Sequence, residues 1–253
     1  MHQTRRGRQS IKASLFITCT IDQFYPQVGE AVVKVLRRLG VDVSFPEAQT
    51  CCGQPFFNGG YRQEATDLAR RFLDVFDGND YVIVPSGSCG SMVRSFYSEL
   101  FADDADALAR AEDLVSRTYE FSEFIVNVLE VTDVGASFAG KVTYHDACHL
   151  LRELHDEDQP RSLIQAVKGV ELVEMEASQA CCGFGGLFSV KFPHISTAIL
   201  DSKLQAIEAS GADVVVANDS GCLMQMGGAM SRRNMKAKPM HLAELLAQDG
   251  GRA

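Results

Sequence analysis

The sequence predicts an α/β protein made of two similar units with mainly parallel sheets, related by internal duplication. Three observations lead there. Short apolar runs alternate with amphipathic stretches of helical period, the mark of βαβ units. The eight cysteines fall into two sets of four in the same order: a single, a vicinal pair followed by glycine, and a single. The two sets are offset by 129 residues (Cys19 to Cys148), 130 (Cys51 to Cys181) and 133 (Cys89 to Cys222), which divides the chain near residue 130.

The elements follow in chain order. The apolar run ending in LFITC predicts a first strand over 14–18, just before Cys19. Val28, Val32, Val35, Leu36 and Leu39 recur at helical spacing from Pro26, and Gly40 supplies the stop. VDVSF (41–45) reads as the next strand, followed by a helix over 62–76 and a strand over 81–84 before Cys89. Met92, Phe96, Tyr97 and Leu100 continue as a helix, and 102–130 reads as helical, capping the first unit and linking it to the second. The second half repeats the scheme: strand 141–145, helix 160–168, strand 170–174, helix 193–209 and strand 213–217, then Cys222. MHLAELLAQ (240–248) resembles the linker and is expected to pack in the equivalent place. Each half thus reads as a Rossmann-like unit. Its cysteines sit at strand ends and in the turns that follow, where open parallel sheets bind ligands.

Composition bounds the function. The 253 residues are 46% hydrophobic and 23% charged, enough for a sizeable core. A formal charge of −9 argues against non-specific nucleic-acid or anionic-membrane binding. No apolar run reaches membrane-spanning length. The basic start, MHQTRRGRQS, reads as a frayed tail rather than an export signal, so a reducing, cytoplasmic compartment is expected. Disulfides explain cysteines poorly there.

Clustered thiolates in such a compartment suit a soft metal or an iron–sulfur centre. Buried unliganded cysteine is common for a single position, but not for two phased quartets that leave none over. Structural zinc suits four thiolates, although paired C-x2-C knuckles are lacking, and so is the C-x-x-C of redox dithiols. Four thiolates suffice for a [4Fe–4S] cluster, with one or two clusters per chain; zinc in one half stays open. The candidate ligands are Cys19, Cys51, Cys52 and Cys89 in the first half, and Cys148, Cys181, Cys182 and Cys222 in the second. Gly53, Gly183, Gly185 and Gly186 permit close backbone approach beside them.

Other candidates are weaker. No G-x-G-x-x-G or C-x-x-C-H signature for a dinucleotide or haem is present. His145 at a strand end reads as a satisfied structural histidine, whereas His149, directly after Cys148, reads as lining the site. His155, His194 and His241 read as surface or packing residues, and Met224, Met226, Met230 and Met235 as helix packing. A 2-hydroxy acid needs a base and a cation. His149, Arg94, Arg152 and Lys191 lie nearest in sequence.

The pattern resembles the cysteine-rich CCG-domain family: a cysteine, 31 or 32 residues, CCG, a longer gap and a final cysteine, twice over. PSGSC (85–89) and GCLMQ (221–225) strengthen the likeness to its lactate-utilization branch. The resemblance implies a first CCG-type unit over 11–130 with C-terminal linker helices, and a second over 131–250. It implies an iron–sulfur component of an L-lactate (2-hydroxy acid) oxidising system, a subunit of an oxidoreductase complex that passes electrons through clusters. The implied partners are a ferredoxin-type iron–sulfur protein and a further subunit. Alternatives are a subunit of a heterodisulfide- or quinone-linked reductase, or a non-redox zinc-stabilised binding protein. The family's fifth cysteine is replaced by Met92 and Gln225. That departure points to four-thiolate sites rather than the noncubane clusters of the heterodisulfide reductases.

Overall fold

The computed structural model describes residues 11–252; the basic tail read as frayed lies outside them. The first sheet contains β1 (Lys12–Leu15), β2 (Asp42–Ser44), β3 (Val82–Val84) and β4 (Thr118–Glu120), in the order β2-β1-β3-β4. The second contains β5 (Ser137–Tyr144), β6 (Lys168–Leu172), β7 (Val214–Ala217) and β8 (Lys238–His241), in the order β6-β5-β7-β8. All these pairings are parallel, and β9 (Asp249–Arg252) adds a parallel pairing to the start of β5, with Ser137 opposite Asp249. Two parallel sheets with the same four-stranded order, the second extended by β9, and their flanking helices therefore realise the duplicated α/β fold.

The central strands explain themselves. VIV in β3 and VVVA in β7 are wholly buried, as parallel strands covered on both faces must be. The helix Pro26–Arg38 buries Val28, Val32, Val35 and Leu36 along one stripe, has Pro26 in its first turn and ends with Gly40 at φ +83°. The helices Arg62–Phe76 and Pro193–Ser210 bury matching stripes: 65, 69, 72, 73 and 76 in one, 196, 200, 203, 204 and 207 in the other.

Two features differ from the sequence reading. Residues 118–120 and 238–241 are strands, not parts of helical stretches; each is followed at once by a helix with a reciprocal capping box, Glu120 with Glu123 and His241 with Glu244. These terminal helices also cross over. Leu242–Leu246 packs on Pro26–Arg38 of the first half, and Phe121–Glu123 packs on Asp158–Ala166 of the second. Arg38 Nη1 donates to the carbonyls of Leu246 (3.1 Å) and Val134 (3.2 Å), and Lys34 Nζ to that of Ala247 (2.7 Å). One hydrophobic core consequently runs from Leu15 and Val32 through Phe121 and Tyr144 to Leu246.

The strand order reverses between β1 and β3, and again between β5 and β7. Cys19 follows β1, the pair Cys51–Cys52 follows β2, and Cys89 follows β3; the second quartet follows β5, β6 and β7 in the same way. The crevice beyond the carboxyl ends of such strands is the usual ligand site.

Candidate thiolate centre

Each quartet converges on that crevice. Cys19 and Cys148 open the short helices Cys19–Phe24 and Cys148–Arg152. Cys89 and Cys222 lie in the first turns of helical segments capped by Ser86, which accepts from the Cys89 N–H, and by Asp219, which accepts from the Gly221 N–H. The vicinal pairs are held by left-handed glycines, Gly53 at φ +90° and Gly183 at φ +86°. Their N–H groups donate back to Cys51 Sγ (3.4 Å) and Cys181 Sγ (3.2 Å).

In the first half Cys19 Sγ lies 4.0 Å from Cys51 Sγ, and Cys52 Sγ 3.3 Å from Cys89 Sγ. Cys51 accepts from both Cys19 and Cys52; these bonds, with the Gly53 N–H, pull its thiol down to about 3. Cys181 accepts from Cys148 and Cys182 in the same manner and is pulled down to about 2. The donors Cys19, Cys52, Cys148 and Cys182 are pushed up, first by those same bonds and then by burial. The first cysteine of each CCG therefore ionises more readily than the thiols that donate to it.

The two quartets share one cavity of about 190 Å³, lined by all eight cysteines. What brings them together is the contact between the halves. A Cβ on Gly87 would fall 2.6 Å from Leu150 Cβ, so only glycine lets the segment bearing Cys89 lie against the helix bearing Cys148. Asp219 fastens the joint, accepting from Ser88 N–H (2.9 Å) and Ser86 Oγ (3.2 Å) across the boundary.

Of the other sequence candidates, His149 lines the cavity and lies 3.3 Å from Glu153. Arg94 is held elsewhere by Glu123 (2.6 Å), and Arg152 and Lys191 are not in the lining. Among the described lining residues there is no lysine or arginine. His145 is not the satisfied histidine its strand-end position suggested. It is fully buried, burial holds it down at about 4, and neither ring nitrogen has a hydrogen-bond partner among the described residues. His145, Cys182 and Cys222 each place a ligand atom within 4.8 Å of the others, a group able to hold a metal ion. Met226 and Met230 pack in the core as expected. His241 is buried and caps a helix, its Nδ1 accepting from the Ala243 N–H.

Met92 is buried in the first-half core where the helix is wound as a π-turn, Met92–Phe96. Gln225 instead donates to Ser196 Oγ (3.0 Å), which donates to the Gly183 carbonyl (2.7 Å). The residue at the absent fifth thiolate thus braces the CCG turn of the second half. Sequence reasoning missed three groups: Asp219 between the quartets, the buried Lys203, and a carboxyl network behind the cleft. In that network Ser122 Oγ is hydrogen-bonded to both Glu120 and Asp156 Oδ2 (2.9 Å), and Asn218 Nδ2 donates to Glu120 Oε1 (3.1 Å). Lys203 carried a signal, a charge on the buried stripe of its helix.

Two parallel units, each delivering a C…CCG…C quartet to the end of its sheet, define a duplicated cysteine-rich domain. The chain belongs to the CCG family: its cysteine-rich domain matches residues 13–94 and again 142–227. The chain is 47% identical over 236 residues to lactate utilization protein A of Shouchella clausii, covering 93% of this chain and 98% of that one. It is 46% identical to lactate utilization protein A of Geobacillus thermodenitrificans, with the same coverage. Among solved structures, a hypothetical protein from Helicobacter pylori superposes with a TM-score of 0.66 at 8% identity. That match covers 94% of this chain and 49% of the other, and speaks for the fold alone.

Proposed function

We propose that this chain is the iron–sulfur component of a system that oxidises L-lactate, or a related 2-hydroxy acid, to the 2-oxo acid. The observation that carries the reading is the convergence of eight thiols, in two quartets, on one cleft. The donor set fits: each half offers four soft ligands, one readily ionised, with glycine N–H groups directed at sulfur. Cys19, Cys51, Cys52 and Cys89 would hold one [4Fe–4S] cluster, and Cys148, Cys181, Cys182 and Cys222 another. When bound, such a cluster supplies one-electron transfer.

The protein's own groups shield the sulfurs and set their ionisation. The names of the relatives support lactate as the substrate of the whole system. A ferredoxin-type iron–sulfur protein and a further subunit complete it in this reading, in the cytoplasm. Among the described residues no helix is long and apolar enough to cross a membrane. The accompanying division of the chain is 11–130 and 131–250, one centre to each unit.

Anaerobic purification with iron, sulfide and zinc analysis tests the reading. About four iron and four sulfide per occupied site are expected. Cys52→Ser and Cys182→Ser should each lose the cluster of their own half, and deletion of the gene should abolish growth on L-lactate where no other lactate oxidase operates. A colourless protein with stoichiometric zinc would refute it.

A further inference from the structure

The duplication makes every position behind the first quartet comparable with one behind the second, and two of them differ in kind. Cys19 and Cys148 are each preceded, three residues earlier, by a wholly buried side chain: Phe16 in the first half and His145 in the second. The matching helix stripes set Phe72 against Lys203. In the first half Phe16 and Phe72 meet edge to face, their centroids 4.9 Å apart, in the same core cluster as Cys52. In the second half, an imidazole and an ammonium take those places. Lys203 is 2% exposed, its Nζ donating to the carbonyls of Ala177 (2.7 Å) and Ser178 (3.0 Å), close enough for its charge to act on Cys182 and Cys222.

A buried polar atom without a partner costs about 1–3 kcal/mol and calls for a reason. Both nitrogens of His145 are in that position, one of them within 4.8 Å of the Cys182 and Cys222 sulfurs. An imidazole there can offer a lone pair to the metal or an N–H to sulfur, and a phenyl ring can do neither. The nearby anions do not cancel the difference. Asp219 reaches across to Ser86 and Ser88 and so faces both quartets. Asp146 is neutralised by Arg161, whose two terminal nitrogens lie 2.7 and 2.8 Å from its two oxygens.

We propose that the two halves hold inequivalent centres, and that His145, with Lys203 behind it, makes the second-half centre the first to be reduced. The inference rests on the iron–sulfur reading above. An N–H bond from the imidazole to a ligand sulfur and a buried positive charge both favour the more negative, reduced cluster. Each centre takes one electron from a one-electron reductant, and no bond to carbon is made or broken.

The test uses the full chain, reconstituted anaerobically and titrated with dithionite, followed by EPR and by pulsed EPR for nitrogen coupling. Two successive one-electron steps are expected, with an imidazole 14N coupling, one that changes on 15N labelling of histidine, on the species that appears first. His145→Phe, which installs the first-half residue, should abolish that coupling and move its step down toward the other. His145→Gln preserves polarity and bulk should the phenyl variant fold poorly, and should lose the coupling as well. Lys203→Met should lower the same step and leave the coupling in place. Simultaneous reduction of both centres, absence of 14N coupling, or its survival in both His145 variants would overturn the proposal while the iron content upholds the cluster reading. A wild-type protein without iron would overturn both.

Discussion

Replacing Gly183 with alanine perturbs the turn that presents Cys181 and Cys182, and the duplication supplies its own control in Gly53→Ala. Both glycines are left-handed, at φ +86° and +90°, so an alanine at either site bears the left-handed penalty of about 1–2 kcal/mol. The space around them differs. A Cβ at 53 would lie 3.3 Å from the Ala65 carbonyl oxygen, a contact relieved by a few tenths of an ångström. At 183 it would lie 2.5 Å from the Ser196 carbonyl oxygen and 3.3 Å from Leu200 N, both backbone atoms of the helix Pro193–Ser210. Moving that helix adds an overpacking cost of about 1–3 kcal/mol. The expected losses are therefore about 1–2 kcal/mol for Gly53→Ala and about 2–5 kcal/mol for Gly183→Ala. Urea unfolding of the metal-free proteins checks this. With a slope near 3 kcal/mol per molar, the Gly183 variant should lose about 0.7–1.7 M in midpoint. Equal midpoints for the two variants would refute the steric reasoning, and a wild-type midpoint for both would refute the left-handed assignment as well.

Three further outcomes are expected. Burial pushes Asp156 up to about 6 and Glu120 well above the usual carboxylate range, so the folded state holds protons that the unfolded chain releases. Their contribution to stability is full below about pH 4 and declines as pH rises through about 6, so Glu120→Gln should flatten stability between pH 5 and 8; profiles parallel to wild type would contradict the raised carboxyl pair. Arg161→Met leaves Asp146, 2% exposed, as an uncompensated charge and should cost about 3–5 kcal/mol in denaturant titrations. Arg110→Met breaks only an exposed pair and should cost about 0–1 kcal/mol, and similar losses for the two arginines would dismiss the distinction. Gly87→Ala drives a methyl into Leu150 and should cost about 1–3 kcal/mol, detectable as a lowered thermal midpoint; an unchanged midpoint would mean the halves are not so closely apposed.

Much of this arrangement was legible because it rests on local signals. The cysteine phasing, the valine-rich strands and the stripe of Pro26–Arg38 each report a local period or spacing. What was not legible depends on tertiary placement. TYE and KPMH are strands because a neighbouring parallel strand pairs with them; three or four residues carry no period of their own. The convergence of both quartets on one cleft hangs on the absent side chain of Gly87, and nothing in its local sequence marks it. His145 was misread because a strand-end histidine in sequence shows neither its burial nor its lack of partners.

The crossed terminal helices impose an order on biosynthesis. The seat on Pro26–Arg38 is made long before Leu242–Leu246, the segment that fills it. Until that segment has been made the first half keeps an open apolar flank, so completion of its fold waits on the second half. A stop codon between residues 130 and 241 therefore yields an unsealed fragment exposed to quality control, rather than a smaller working unit.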